Sequence, residues 1–127
     1  MDNGWMKDVA EFHRAFDEPV RTIPRIPSEI ERQLRWDLIT EEVSELGEAW
    51  QSDDLVDIAD ALADLIYVAI GMALTYGIPL HHVWDEVQRS NMDKLGGGRR
   101  EDGKILKPAN WEPPKIRECL RQYGLID

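Results

Sequence analysis

Residues 58–80 read IADALADLIYVAIGMALTYGIPL, a run so apolar that the chain must either bury it in a protein core or thread it through a bilayer. Asp60 and Asp64 sit inside it, and a mid-membrane carboxylate costs roughly 2.5–3.5 kcal/mol on insertion scales. No basic flank sets a topology. The run is therefore expected to be the central helix of a helical bundle, with no membrane as partner. A chain of 127 residues accommodates this as one domain, 1–127.

Helical signals recur along the rest of the chain, and strand signals are poor. Residues 5–17 (WMKDVAEFHRAFD) place Val9, Phe12, His13 and Phe16 at helical spacing. Pro19, Pro24 and Pro27 then enforce an extended connection. Ser28 predicts the N-cap of a long helix running to about Gln51, with Glu31 completing a capping box. Ser52 is expected to cap the third helix, with Asp53 and Asp54 facing its positive pole. Gly77 fits the residue just past its end. Pro79 suits the first turn of a fourth helix, whose Leu80, Val83, Trp84 and Val87 share a face. After Leu95 the stretch GGGRREDGKILKPANWEPPK reads as loop. A short last helix is expected over about 115–123.

The carboxylates carry the chemistry. At 100° per residue with Glu41 at zero, Ile30, Leu34 and Leu38 fall at about −20°, 20° and 60°, and Glu45 and Glu48 at about 40° and −20°. An apolar stripe thus continues directly into acids, with Glu42 about 100° to one side. On the third helix Asp53, Asp57, Asp60 and Asp64 share one line, and Asp64 is hemmed by Ala63, Leu65 and Ile66. Buried carboxylates converging from two helices need a cation. No lysine or arginine lies between Arg35 and Arg89, so the cation is expected to be a metal. Oxygen-only donors suit Mg²⁺ or Mn²⁺. A di-iron bundle needs Glu-x-x-His pairs, and the histidines (His13, His81 and His82) lie elsewhere. His81 and His82 are expected at the surface, and Asp17, Glu18 and the acids after residue 111 as solvated charges.

Lys and Arg total 15 against 25 Asp and Glu, a formal charge of −10. That balance excludes a general nucleic-acid coat. Yet Arg89, Lys94, Arg99, Arg100, Lys104 and Lys107 crowd into residues 89–107, around Gly96–Gly98. Basic side chains and mobile backbone amides suit a polyphosphate, and Asn91 could donate to a phosphate or to a substrate water. Acids for a metal beside bases for phosphates indicate a nucleotide. A lone cysteine, Cys119, excludes an internal disulfide. MDNGWMKDVAEF lacks the design of a secretory signal, so a cytoplasmic setting is expected.

EFHRAF at 11–16, EEVSE at 41–45, DALADLIYVAIGMALTYGI at 60–78, EVQRSNMDKL at 86–95 and DGKILKPANWEPP at 102–114 together resemble the MazG-like, all-α nucleoside triphosphate pyrophosphatases, in the branch of phosphoribosyl-ATP pyrophosphohydrolase. The resemblance implies an oligomeric four-helix bundle, dimer or tetramer, that holds Mg²⁺ between two helices. It implies hydrolysis of nucleoside triphosphates, often non-standard or deoxy, to monophosphate and pyrophosphate. By position, Glu41, Glu42 and Glu45 take the EExxE roles and Asp64 the last residue of ExxD. Ala61 stands where that element's first acid belongs, and Asp60, one turn before Asp64, is the natural substitute. Asn91 and Lys94 match the phosphate-contacting pair, and Lys104 and Lys107 are expected to close over the substrate.

The resulting expectation is a Mg²⁺ enzyme of the nucleotide pool, with metal on Glu42, Glu45, Asp60 and Asp64. Glu41 or Glu42 would orient or deprotonate the water, and Arg89, Asn91, Lys94, Lys104 and Lys107 would meet the phosphates. Two rivals stand beside it: phosphoribosyl-ATP hydrolysis, and a non-catalytic acidic bundle that binds a partner. The first helix offers Phe12, His13 and Phe16 on one face, with Trp36 a turn before the acids. Among them His13 is expected to discriminate the base.

Overall fold

The computed structural model describes residues 4–126. Among these the chain is all-helical: α1 (Gly4–Ala15), α2 (Glu29–Ser52), α3 (Leu55–Tyr76), α4 (Leu80–Met92) and α5 (Ile116–Gln122). The nearest approach to a strand is a single bridge between Arg99 and Ile105 in the basic loop. α2 packs along α3, α1 lies across α3, and α4 meets α5.

The long pair is made by its ends. The Ser28 hydroxyl accepts from the Glu31 amide at 3.3 Å and donates to its carboxylate at 2.9 Å. Glu31 is also held by Arg21 at 2.6 Å. The turn into α3 differs from the expected one. Ser52 is the last residue of α2, and its hydroxyl donates back to the Ala49 carbonyl. Asp53 takes the left-handed conformation, and Asp54 is the cap, accepting from Val56 and Asp57 amides at 2.9 and 3.2 Å. A carboxylate two residues nearer the helix reaches two of its free amides, which Ser52 cannot. At the other end Gly77 ends α3 at φ 71°, and the Ile78 amide reaches back to the Ala73 carbonyl at 2.8 Å.

The proline-rich connection 17–27 runs over the C-terminal end of α3. Arg21 N donates to Leu74 O and Arg25 N to Tyr76 O, each at 2.9 Å, while the Arg21 side chain reaches Thr75 O at 2.8 Å. Met6, Val9 and Ala10 of α1 and Ile70 and Leu74 of α3 form the core beneath it. Burial on α3 concentrates at this end, Ala61 apart. Leu55, Val56, Leu62, Ile66 and Tyr67 stay exposed, as does Trp84 on the apolar face of α4. The four helices do not close into a bundle within one chain: α4 finds its partner in α5, while the apolar faces of α2 and α3 remain open.

Candidate metal centre

α2 and α3 run antiparallel from a tight turn, so residues about equally far from it face each other across the pair. Glu42 and Glu45 on α2 meet Asp64 on α3, with one carboxylate oxygen from each lying within 4.8 Å of the others. Glu42 and Asp64 are half-buried and Glu45 is exposed. Glu42 Oε2 is buried and has no hydrogen-bond partner. Burial first, then the charge and close approach of Glu45, then Asp64 and Glu41, push the Glu42 carboxyl above its usual range. Three acids share this space, and no ion pair among the described residues brings a cation to it. An orphaned buried oxygen amid like charges is what a divalent ion satisfies, so the donors fit a metal.

Asp60 falls outside this trio. It is exposed and lines a neighbouring cleft of about 370 Å³ with Glu45, Glu48 and Asp57. Glu45 therefore belongs to both acid groups, and Ala61, where the family pattern has an acid, is buried beside them. Glu41 is exposed and acts on Glu42 through its charge.

The basic residues divide into two sets. Arg89 is engaged on both sides, with Glu86 at 2.8 Å and Asp93 at 2.7 Å, and also reaches Pro113 O. It clamps the tail to α4, so most of its donors are already engaged within the chain. Asn91 and Lys94 line a pocket of about 510 Å³ with Gly96, Gly98 and Arg99. Lys94 and Lys107 both sit over the Trp111 ring, 5.5 and 4.6 Å from its centroid. The Trp111 indole donates to Ser90 O at 2.7 Å. Trp111 is thus a seat for two expected phosphate ligands, placed by α4. Sequence reading missed it because Lys107 and Trp111 lie four residues apart in an irregular, proline-containing segment with no fixed period, and Lys94 is 17 residues away. Lys104 is exposed, its backbone pairing with Arg100 and Asp102.

His13 is put to a use other than base reading. It is 2% exposed, and its Nδ1 lies 2.7 Å from Pro19 O, so that nitrogen carries the proton and donates. Its Nε2 faces Gly71. One residue is 100° of helix, so His13 points inward while Phe12 and Phe16 stay outside, 4.6 Å apart. Phe12 also meets Tyr67 edge-on at 5.6 Å, and Tyr67 stands one turn past Asp64. Trp36 is exposed. Glu18 is no solvated charge: it holds the buried Arg35 at 2.7 Å. His81 and His82 are half-buried against Tyr123.

The sequence profile of the phosphoribosyl-ATP pyrophosphohydrolase family matches residues 9–91. That span takes in the acid trio and Asn91 and ends before Lys94, Lys104 and Lys107. An uncharacterised protein of Acanthamoeba polyphaga mimivirus, L479, is 42% identical over 80 residues, which cover 58% of this chain and 31% of the viral protein. The chain spans about a third of that relative's length.

Proposed function

This chain belongs to the phosphoribosyl-ATP pyrophosphohydrolase family, within the MazG-like all-α superfamily, and from that premise we propose that it hydrolyses a nucleoside or deoxynucleoside triphosphate to the monophosphate and pyrophosphate. Family membership supports a pyrophosphohydrolase acting on nucleotides; the triphosphate, the metal and a cytoplasmic role in clearing the nucleotide pool are our reading. The observation that carries the reading is the Glu42–Glu45–Asp64 trio with its orphaned oxygen. These three residues, with Asp60 beside them, would hold Mg²⁺ or Mn²⁺, which when bound supplies charge neutralisation to the phosphates and a more acidic water.

The chain's own groups then divide the work. Glu41, exposed next to Glu42, takes the proton of the attacking water. Asn91 and Lys94 contact the phosphates, and Lys107 and Lys104 swing over from the basic loop to meet the charge on departing pyrophosphate. Arg89 is left out of this set because Glu86 and Asp93 occupy it. The exposed Phe12, Phe16 and Tyr67 cluster, one turn from Asp64, offers the base a stacking face.

Pyrophosphate release tests the reading. A panel of canonical, deoxy and deaminated triphosphates is assayed beside phosphoribosyl-ATP, with and without Mg²⁺. At least one triphosphate is expected to be cleaved tenfold faster than phosphoribosyl-ATP, and only with metal. The family's name favours the second substrate, and faster cleavage of it would assign that reaction instead. Silence across the panel, with no Mg²⁺-induced rise in melting temperature, would leave an acidic partner-binding module.

We further propose that the active form is at least a dimer, with a second copy closing the bundle. The support is the apolar surface left open: Ile30 is 83% exposed, Leu55 78% and Trp50 70%, an unusual load for a lone chain. Small-angle scattering at micromolar concentration is expected to give at least twice the 14.7 kDa chain mass. A monomeric mass would refute it.

A further inference from the structure

At the opposite end of α3 from the acids, α1, the proline-rich connection and the start of α4 enclose a concave pocket of about 290 Å³. Leu74 lines it, ten residues beyond Asp64 and so about 15 Å along the helix. Its size is near the lower end of the ~300–1,000 Å³ range of small-molecule sites. The floor is apolar, made by Val20, Leu74, Ile78 and Pro79. The rim is cationic. Lys7 and Arg14 lie seven residues apart on α1 and so share one helix face, and Arg21 and His81 complete the ring.

No aspartate or glutamate lines this pocket, although the chain carries 25 of them and a formal charge of −10. Arg21 is already matched by Glu31. Lys7 and Arg14 have no ion-pair partner among the described residues. Asp8, their neighbour on α1, lines a different groove on another face, with Trp5, Ala63 and Tyr67. His81 Nδ1 is buried with no hydrogen-bond partner. Two cations without an ion pair among the described residues, Glu11 between them on α1 but outside the pocket lining, thus stand over an apolar floor beside the His81 ring, which is the layout of a site for a small anion with an apolar body.

We propose that this pocket is a second ligand site, separate from the acid trio, for a small phosphate monoester with an apolar or aromatic body. Lys7 and Arg14 would hold the phosphate dianion at the rim, beside the His81 ring. The body would rest on Leu74, Ile78 and Pro79 beside the Tyr123 ring. A carboxylate would meet the same cations with one charge fewer, and inorganic phosphate would leave the floor unused.

Calorimetric titration with phenyl phosphate in EDTA tests this, because chelation leaves the acid trio unable to take a phosphate. Submillimolar binding is expected, with inorganic phosphate and benzoate each at least tenfold weaker. The double variant Lys7→Gln/Arg14→Gln, both exposed residues, is expected to keep its melting temperature and weaken phenyl phosphate at least tenfold. Glu45→Gln is expected to bind it as the unaltered protein does. Absence of binding up to about 10 mM, a weaker regime than any specific millimolar site, would overturn the proposal. So would equal binding by the double variant, loss of binding in Glu45→Gln, or equal affinity for inorganic phosphate.

Discussion

Glu45→Gln and Asp64→Asn are each expected to cut Mg²⁺-dependent pyrophosphate release at least a hundredfold, about 2.7 kcal/mol in the barrier, while leaving the fold intact. Both substitutions keep the size of the side chain and remove the charge. The trio's oxygens lie within 4.8 Å of one another, so without a metal they repel, and removing one charge relieves the others. The metal-free variants are therefore expected to melt no lower than the unaltered protein. The stabilisation that Mg²⁺ gives should be lost with the activity, since binding to the native state alone raises stability by mass action. A variant that keeps more than about a tenth of the turnover, under about 1.4 kcal/mol of barrier, would show that its carboxylate does not hold the metal.

Glu41→Gln separates the proposed proton acceptor from the proposed ligands. Glu41 is exposed and lies outside the trio, so this variant is expected to lose turnover and keep its Mg²⁺-dependent thermal shift. Loss of both would place Glu41 among the ligands. Asp60 gives the complementary case. It shares an open cleft with Glu45 but lies outside the trio, so its substitution is expected to weaken metal affinity less than that of Asp64.

What could be read from the chain alone was local or periodic. Ser28, Gly77 and Pro79 mark helix ends because caps act over three or four residues. Glu45 and Asp64 lie on acid lines that helical period sets, whereas Glu42, about 100° off the first line, was placed at the site by the family resemblance. Ser52 and Asp54 are both competent caps, and only the turn's backbone, with Asp53 left-handed, selects the second. Contacts between elements were out of reach. Glu18 reads as a solvated charge until the connection folds it onto Arg35. His13 reads as part of an aromatic face until α1 lies on α3, which turns it toward Gly71 and Pro19. The open faces of α2 and α3 have the same origin, because a periodic apolar stripe does not say whether its partner is the same chain or another copy.

Gly77→Ala is expected to be the most damaging small substitution outside the site, because two requirements meet at that residue. Its φ of 71° is left-handed, which costs an L-residue roughly 1–2 kcal/mol. A Cβ there would also stand 2.2 Å from the Ile23 carbonyl oxygen and 2.6 Å from its carbon. Both are backbone atoms, so no side-chain rotation relieves the contact, and the connection must lift from α3. Lifting it strains the Arg21–Leu74 and Arg25–Tyr76 backbone bonds and the Arg21 contact to Thr75, each worth about 0.5–1.5 kcal/mol. The sum is about 3 kcal/mol or more, a fall in melting temperature of roughly 10 °C for a chain of this size. Gly98→Ala isolates the first requirement: its φ is 82°, and nothing lies within 4 Å of its Cβ position. That variant should lose only the conformational part, at most half as much. Equal losses in the two variants would mean that the connection does not press on the end of α3, and that α1, its core and the His13–Pro19 bond are held there by other contacts.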